Sequence, residues 1–327
     1  MSGIYNGGAS SEPEKRRLDV QAYTLGWVCA LPIEYAAATM MLDEEHEDPP
    51  HDDNDTNMYT LGRIFGRNIV ILCLPAGLIG SASAAAAAVE MKAKLPRIQF
   101  GLLVGIGGGA PSETTDIRLG DVVVSQPHLQ HGGVVQYDFG KQHPNCFLRT
   151  GHLNKPPKYL LNAVSKLISN HFRGKNTPLN HLAAATSQPV FARKNAGEDI
   201  LFKATFIHVE GAMCENCKVQ KEEIIQRTPR PGQVYMIHYG TIASRSSLIK
   251  DAQTRDRLSS ELDGAICFEM EATGLMNHFP CLIIRGICYY ADSHKNKSWQ
   301  PYAAAIAAAY AKEFLSVIPL PSGSQGQ

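Results

Sequence analysis

Short runs that are apolar throughout alternate along this chain with segments of helical pattern. Residues 100–105 are such a run, residues 23–30 and 120–125 are mainly apolar strand candidates, and residues 81–94 and 302–317 have the composition of alanine-rich helices. Strands without polar alternation are buried on both faces, which is typical of parallel or mixed sheets covered by helices. The alternation therefore predicts an α/β fold with a mixed central sheet, in which ligands bind beyond the carboxyl ends of the strands.

Length and composition bound the domain organisation. The 327 residues are enough for one large α/β domain. We expect that domain at residues 22–319, with an irregular insertion at about residues 174–230, where the chain is polar. Residues 1–21 are predicted to be a disordered N-terminal tail, because they are rich in small and charged residues, and residues 320–327 are predicted to be a C-terminal tail.

Charge and hydropathy exclude two classes of partner. The formal net charge is zero, whereas a nucleic-acid interface requires a basic excess. No apolar run reaches the roughly 18–20 residues that a membrane span needs. The eight cysteines are scattered, and most lie within apolar runs. This usage indicates buried, reduced thiols and a cytoplasmic protein. Because nucleic acid and membrane are excluded, small ligands are the expected partners.

Two carboxylates flank a methionine in the segment FEMEATG at residues 268–274. In a continuous strand Glu269 and Glu271 would share one face. A strand-to-helix junction is expected near Met270, so we predict that the two side chains diverge and that only one fully reaches a ligand. A carboxylate there can accept hydrogen bonds from the vicinal hydroxyls of a ribose. Helix-starting or solvated acids are the structural alternative.

Glu34 follows the first predicted strand and lies two residues after Pro32. A carboxylate at the end of a buried strand can orient or deprotonate a water molecule. It can equally be an acid in the first turn of a helix, where the helix dipole favours negative charge. Position alone leaves both roles open.

A glycine-rich segment, VGIGGG, ends the buried run at residues 104–109. Glycine lets backbone N–H groups approach a ligand closely, and we predict a turn that forms a backbone surface for a small ligand. A dinucleotide-binding motif requires a helix directly after such a turn, and here a proline-bearing segment and another strand follow. A purely structural turn is the remaining alternative.

The pair Cys214 and Cys217 has the spacing of metal ligands. No second CxxC pair exists, and His208 is the one imidazole that is near in sequence. A structural zinc site requires four ligands. We therefore expect unpaired thiols or a local structural role, and we predict neither a metal site nor a cofactor.

Several segments together resemble the nucleoside phosphorylase and nucleosidase superfamily. The resemblance is to its methylthioadenosine/S-adenosylhomocysteine nucleosidase-like members, and most closely to a fungal branch found alone or fused to NACHT and repeat regions. It covers nearly the whole chain. The segments that carry it are CALPIE at 29–34, LPAG at 74–77, VGIGGG at 104–109, DIRLGDVVV at 116–124, QHGGVVQYDFG at 130–140, HYGTIAS at 238–244, FEMEA at 268–272, RGIC at 285–288 and YADSHKN at 290–296.

The resemblance implies a three-layer α/β/α sandwich around a twisted mixed sheet and cleavage of a nucleoside N-glycosidic bond. It implies that Glu34 activates water, that Met270 and Glu271 hold the ribose, and that Gly107 and Gly108 lie against sugar and base. The remaining expected substrate-binding residues are Leu248, Ile249, Phe268 and Glu269. The expected ligand is a purine nucleoside or nucleotide, and the resemblance implies a homo-oligomer.

Water is the expected nucleophile. Phosphorylases of this superfamily bind phosphate through arginines, one in the loop after the first strand and one before the glycine segment. The corresponding segments here, ALPIE at 30–34 and GLLV at 101–104, contain none, and the first places an acid there. Both departures favour hydrolysis. Phosphorolysis remains an alternative.

Tyr289 stands where the superfamily has an aspartate that helps to protonate the departing purine. A phenol has a reference pKa of about 10 and is a poorer acid at neutral pH. Asp292, three residues further on, is a candidate substitute. The sequence therefore predicts a purine nucleoside N-ribohydrolase, with a weak or inactive nucleoside-binding sensor module as the alternative.

Overall fold

The computed structural model describes residues 15–50, 55–144, 146–175, 178–209, 214–230 and 235–320. In these residues a large mixed sheet lies between two groups of helices. The strands are β1 (Leu25–Cys29), β2 (Glu44–Glu45), β3 (Tyr59–Ile64), β4 (Arg67–Cys73), β5 (Phe100–Gly109), β6 (Val122–Ser125), β7 (Val134–Gln136), β8 (Gly140–Gln142), β9 (Phe147–Arg149), β10 (Ile237–Gly240), β11 (Ile242–Ser244), β12 (Cys267–Glu269) and β13 (Cys281–Tyr289). The helices are α1 (Pro32–Thr39), α2 (Ser81–Lys94), α3 (Lys158–Phe172), α4 (Pro178–Thr186), α5 (Glu215–Lys218), α6 (Ala252–Glu261), α7 (Ala272–Leu275) and α8 (Gln300–Val317).

The sheet has the strand order β10-β6-β13-β5-β1-β4-β3-β2. Its centre is parallel, because β5 pairs in parallel with both β1 and β13. The carboxyl end of β5 also pairs antiparallel with β12, which continues through β11 to β7. The ends of β5, β12 and β13 therefore meet at one edge of the sheet.

Successive residues of the central strands face two separate cores. Leu102 and Ile284 belong to the core beneath α8, whereas Leu103 and Ile283 belong to the core beneath α2. Burial on both faces explains why these strands are apolar throughout. The three-layer α/β/α architecture with a mixed sheet is thus confirmed.

The helix α8 is an alanine-rich helix that is buried on almost every side. A helix that is apolar all round belongs in the interior of a protein. Its small side chains let β13 approach closely, and at Gly286 an added Cβ would overlap the carbonyl oxygen of Ala303. This close contact fixes the strand that carries Arg285 and Tyr289.

The predicted glycine turn is wrong, because β5 continues as a strand through Gly109. The reason is close packing of other chain segments. An added Cβ at Gly107 would overlap the sulfur of Cys267, and one at Gly109 would overlap Ile117 and Ile287. The glycines therefore make room for neighbouring side chains within the sheet.

Part of the predicted insertion is regular. The helix α4 lies within it and packs on α8 through Leu182 and Ala185. These two residues are three apart and share one face of the helix. The surrounding segment is polar in overall composition, and this composition concealed the short apolar face of α4.

The predicted tails are partly described. Residues 1–14 and 321–327 lie outside the described residues. Within residues 15–21, Arg16 forms a β-bridge with His46, and Leu18 and Val20 pack against the core. Residues 15–21 therefore pack against the folded domain.

Within the described ranges, each helix is too short or too polar to cross a lipid bilayer.

We predict that Gly286→Ala lowers the free energy of unfolding by about 1–3 kcal/mol, because the added methyl group must displace backbone of α8. Urea unfolding measures this change. The matched control is Gly240→Ala, where the added methyl group meets the flexible end of Ile266. The control should change stability by less than about 1 kcal/mol. Equal losses in the two variants would contradict the close packing of β13 on α8.

Candidate active site

Four chain segments converge at the edge where β5, β12 and β13 end. They are the loop from β1 into α1, the end of β5, the junction of β12 and α7, and the end of β13. Ligands of open α/β sheets bind beyond the carboxyl ends of the strands. The convergence therefore places these segments where a ligand is expected.

Glu34 lies in the first turn of α1 and is buried. Its Oε2 atom accepts hydrogen bonds from the backbone N–H groups of Ala30 (2.7 Å) and Leu31 (3.0 Å). Its Oε1 atom accepts one from the N–H group of Ile106 on β5 (2.8 Å). Burial raises the pKa of Glu34, and nearby Arg285 and these N–H donors partly oppose that increase. Glu34 therefore caps its helix and also lines a cavity at this edge of the sheet.

Arg285 is a fully buried arginine in the otherwise apolar strand β13. Its Nη2 atom donates to both Glu269 and Glu271, at 3.2 Å for Glu271. Burial alone would lower the pKa of Arg285, but the carboxylates of Glu269, Glu271 and Glu34 outweigh it and raise the pKa. The guanidinium thus remains charged and joins β13 to the β12–α7 junction.

The two carboxylates of the FEMEATG segment converge on Arg285, so the prediction that they diverge is wrong. Glu269 also accepts hydrogen bonds from the N–H groups of Glu271 (3.0 Å) and Ala272 (3.0 Å), which fold the chain back at the start of α7. That turn brings Glu271 to the same guanidinium.

The buried carboxylate of Glu271 also has a raised pKa. Its Oε1 atom accepts a hydrogen bond from the N–H group of Gly80 (3.3 Å). Burial raises the pKa of Glu271 to about 7, with repulsion from Glu269 and Glu34 adding to the increase and Arg285 opposing it. Three carboxylates around one guanidinium leave an excess of negative charge, which protonation of Glu271 relieves.

Glycine at position 105 brings Glu34 and Arg285 close together. An added Cβ at Gly105 would overlap both the Oε1 atom of Glu34 and the Nη1 atom of Arg285. Nη1 and Nε of Arg285 have no hydrogen-bond partner among the described residues. An acceptor and an unsatisfied cationic donor therefore both pack against Gly105.

The site encloses a cavity of about 80 Å³. Eight of the eleven sequence-predicted site residues line it, and these are Glu34, Gly107, Leu248, Phe268, Glu269, Met270, Glu271 and Tyr289. Small-molecule sites usually exceed about 300 Å³, so the enclosed part is only a fraction of a nucleoside site.

Tyr289 and Lys295 fill one end of the cavity. The Nζ atom of Lys295 lies 4.2 Å from the centre of the Tyr289 ring, and a Cβ added to Gly108 would overlap that ring. Burial raises the pKa of Tyr289 well above its usual value, and nearby cysteines add to the increase. The phenol is therefore a weaker acid here than in water.

A second cavity of about 230 Å³ is also lined by Tyr289. Cys288 and Tyr289 line both cavities, whereas Asp292 lines only the second. Of the other predicted residues, Gly108 lies beneath the Tyr289 ring and Ile249 is buried in the core under α8.

The carboxylates of the first cavity are already engaged by Arg285 and by backbone N–H groups, so they do not form a cation site. Ligand types suited to a metal lie instead beside the second cavity, at His208, Cys217 and His294.

Sequence reasoning missed the roles of Arg285, Lys295 and the Gly80 N–H group. The role of Arg285 could have been recognised, because it is a charged residue in a strand of nine residues that are all buried, and a buried charge requires a partner. Lys295 and Gly80 lie in loops, and no periodic pattern indicates their contacts.

The sequence profile of the Phosphorylase superfamily matches residues 24–316. The chain belongs to this superfamily. A relative from Hyaloscypha variabilis, a nucleotide-binding leucine-rich repeat (NLR)-like protein, is 46% identical over 303 residues. That match covers 91% of this chain but 30% of the relative, so the superfamily domain here spans about a third of that protein.

Solved structures of other members share the fold. A putative 5′-methylthioadenosine/S-adenosylhomocysteine nucleosidase from Borrelia burgdorferi, bound to adenine, matches with a TM-score of 0.59 and 16% identity, covering 90% of this chain and all of that one. Futalosine hydrolase of Helicobacter pylori matches with a TM-score of 0.56 and 16% identity, covering 90% and 98%. At such identities the likeness establishes the fold alone.

We predict that Glu271 makes this superfamily member less stable as pH rises. Its folded-state pKa of about 7 exceeds the ordinary value of 4.5, so its stabilising contribution is complete below pH 4.5 and is lost as pH rises through 7. Glu271→Gln removes the titration. The free energy of unfolding of the native chain minus that of the variant should fall by roughly 3 kcal/mol between pH 4.5 and 8.

Urea unfolding at several pH values measures this difference, with Glu261→Gln on the surface of α6 as the control. The control difference should be nearly independent of pH. For Glu271→Gln, a difference in the free energy of unfolding that does not change with pH would contradict the crowded carboxylate cluster.

Proposed function

We propose that this chain binds a purine nucleoside and hydrolyses its N-glycosidic bond with water, giving the free base and ribose. The observation that carries the proposal is the buried Arg285, which holds Glu269 and Glu271 on one side of a cavity and faces Glu34 on another. Membership of the Phosphorylase superfamily and the adenine bound to a structural neighbour support the choice of substrate.

The ribose would lie against Met270 and Glu271. Glu271 lines the cavity, and Arg285 and the Gly80 N–H group fix its carboxylate. A carboxylate in this position accepts hydrogen bonds from two vicinal hydroxyl groups, and hydrogen bonds to a charged group contribute about 1.5–3 kcal/mol each. The half-buried Met270 provides an apolar contact for the sugar ring.

The attacking water would lie in the cavity beside Glu34. The carboxylate of Glu34 can accept its proton, and Arg285 packs against Gly105 next to that carboxylate. Burial, which raises the pKa of Glu34, makes that carboxylate a better base than an exposed one. Attack at the anomeric carbon then passes through an oxocarbenium-like transition state, whose positive charge the surrounding carboxylates stabilise.

Phosphate is a poor nucleophile for this cavity. Three carboxylates line it, and Arg285 is already bound to two of them. Among the described residues that line the cavity, Lys295 is the one with a cationic side chain, and its ammonium group lies over the Tyr289 ring. A phosphate dianion would meet net negative charge, whereas a neutral nucleoside and water would not.

Departure of the base is the step for which this site offers no efficient proton donor among the described residues. Tyr289 faces Gly108, where the base would pack, and its raised pKa makes its phenol a reluctant proton donor. Asp292 donates no proton in this proposal, because it lines the second cavity. These observations favour a second candidate function, in which the site binds a nucleoside or nucleotide without efficient turnover.

The decisive assay measures free base released from adenosine, inosine and ATP, with and without inorganic phosphate. We predict release that does not depend on phosphate and that falls by roughly 10²–10⁴ in Glu34→Gln. The surface variant Glu261→Gln is the matched control and should retain the rate. Release that requires phosphate and yields ribose 1-phosphate would contradict hydrolysis.

Substitution at position 289 tests the proton donor. We predict that Tyr289→Asp raises the rate of base release by roughly 10²–10⁴, because it supplies a carboxylic acid and opens space for the base. Tyr289→Phe retains the ring and lacks the hydroxyl, so it should leave the native rate unchanged. A large loss in Tyr289→Phe would instead identify the phenol as the acid. Near-native circular dichroism of both variants establishes that they are folded.

A further inference from the structure

Three side chains with zinc-ligand chemistry meet beside the second cavity, and Cys214 lies next to them with its sulfur 3.4 Å from the backbone carbonyl oxygen of His294. His208, Cys217 and His294 place one ligand atom each within 4.8 Å of one another. The sulfur of Cys214 lies 3.7 Å from the Nδ1 atom of His208, and the sulfur of Cys217 lies 3.3 Å from the same atom. Among the side chains described, both thiols are free cysteines, and no disulfide joins them.

These distances fit the edges of a metal tetrahedron. Zinc binds thiolate sulfur at about 2.3 Å and imidazole nitrogen at about 2.0 Å, which separates sulfur and nitrogen ligands by about 3.6 Å. The observed separations of 3.3 and 3.7 Å bracket that value. Two thiolates and two imidazoles are also a ligand set that favours zinc over hard cations.

The imidazole of His294 needs a partner. Its side chain is only 5% exposed, and neither ring nitrogen has a hydrogen-bond partner among the described residues. Buried polar atoms are rarely left unsatisfied. Phe202 stacks on this ring with centroids 4.1 Å apart, and Phe206 stacks at 5.3 Å, so the ring has little freedom to turn toward solvent.

The surrounding hydrogen bonds hold the ligands in position. The N–H group of Val209 donates to the sulfur of Cys217 (3.4 Å). Ser293 accepts a hydrogen bond from the N–H group of His208 (3.0 Å). A carboxylate oxygen of Asp292 lies 3.8 Å from the Nδ1 atom of His294, too far for a hydrogen bond but close enough to favour a positive charge beside the ring.

We infer that His208, Cys214, Cys217 and His294 form a structural zinc site. Three ligands come from the segment predicted as an insertion, and the fourth comes from the segment after β13. A metal ion would therefore tie the insertion to the segment that ends with Lys295, which lies over Tyr289. Sequence reasoning found one imidazole near the cysteine pair, and the fold brings the second.

The first test is the metal content of the purified full chain, measured by mass spectrometry after equilibration with a competing chelator. We expect about one zinc ion per chain, since one four-ligand site holds one ion. Cys217→Ser and His294→Ala should each lower the content by roughly tenfold or more, whereas Cys146→Ser, an exposed cysteine outside the cluster, should retain it.

A second test uses the native chain, so it does not require that any variant folds. The native chain is stripped of metal and titrated with Co²⁺ alone, and the visible and near-ultraviolet spectrum is recorded. A stoichiometric tetrahedral spectrum with a thiolate-to-metal band supports the site. Folded protein that contains no zinc and gives no such band, or a Cys214–Cys217 disulfide found by peptide mapping, would overturn it. Both tests are independent of nucleoside cleavage.

Discussion

One buried guanidinium organises the candidate site. Arg285 has no exposure to solvent and binds Glu269 and Glu271, and these contacts join β13 to the β12–α7 junction. Glu271 in turn accepts a hydrogen bond from Gly80 at the start of α2. Removing one partner of such a buried pair typically costs about 3–5 kcal/mol, because the remaining charge has no solvent to compensate it. The cavity therefore depends on a charge cluster that is costly to assemble, which is typical of functional sites.

The same cluster explains which ligands the cavity can accept. An excess of carboxylate over cation disfavours an anionic nucleophile and suits hydroxyl groups, water and a developing positive charge. In the proposed reaction Tyr289 would limit the departure of the base, because its phenol resists ionisation. Under that proposal different residues would control binding and turnover, so that binding could persist where turnover is slow.

The fold and much of the site were predictable from sequence, for physical reasons that differ by residue. Central strands buried on both faces must be apolar, so β1, β5 and β13 were evident. The contacts of Arg285 were not evident, because they depend on the turn that Glu269 stabilises through backbone N–H groups. The cysteine–histidine cluster was also hidden, because His294 is remote in sequence from Cys217 and only the fold brings the two together.

The most direct measurement is the affinity of Glu34→Gln for adenosine and for 2′,3′-dideoxyadenosine, determined by calorimetry. If Glu271, fixed by Arg285, accepts hydrogen bonds from both ribose hydroxyls, the dideoxy compound should bind roughly 10²–10⁴-fold more weakly. Equal affinities, or no binding of adenosine at all, would contradict a ribose site built on this guanidinium–carboxylate cluster.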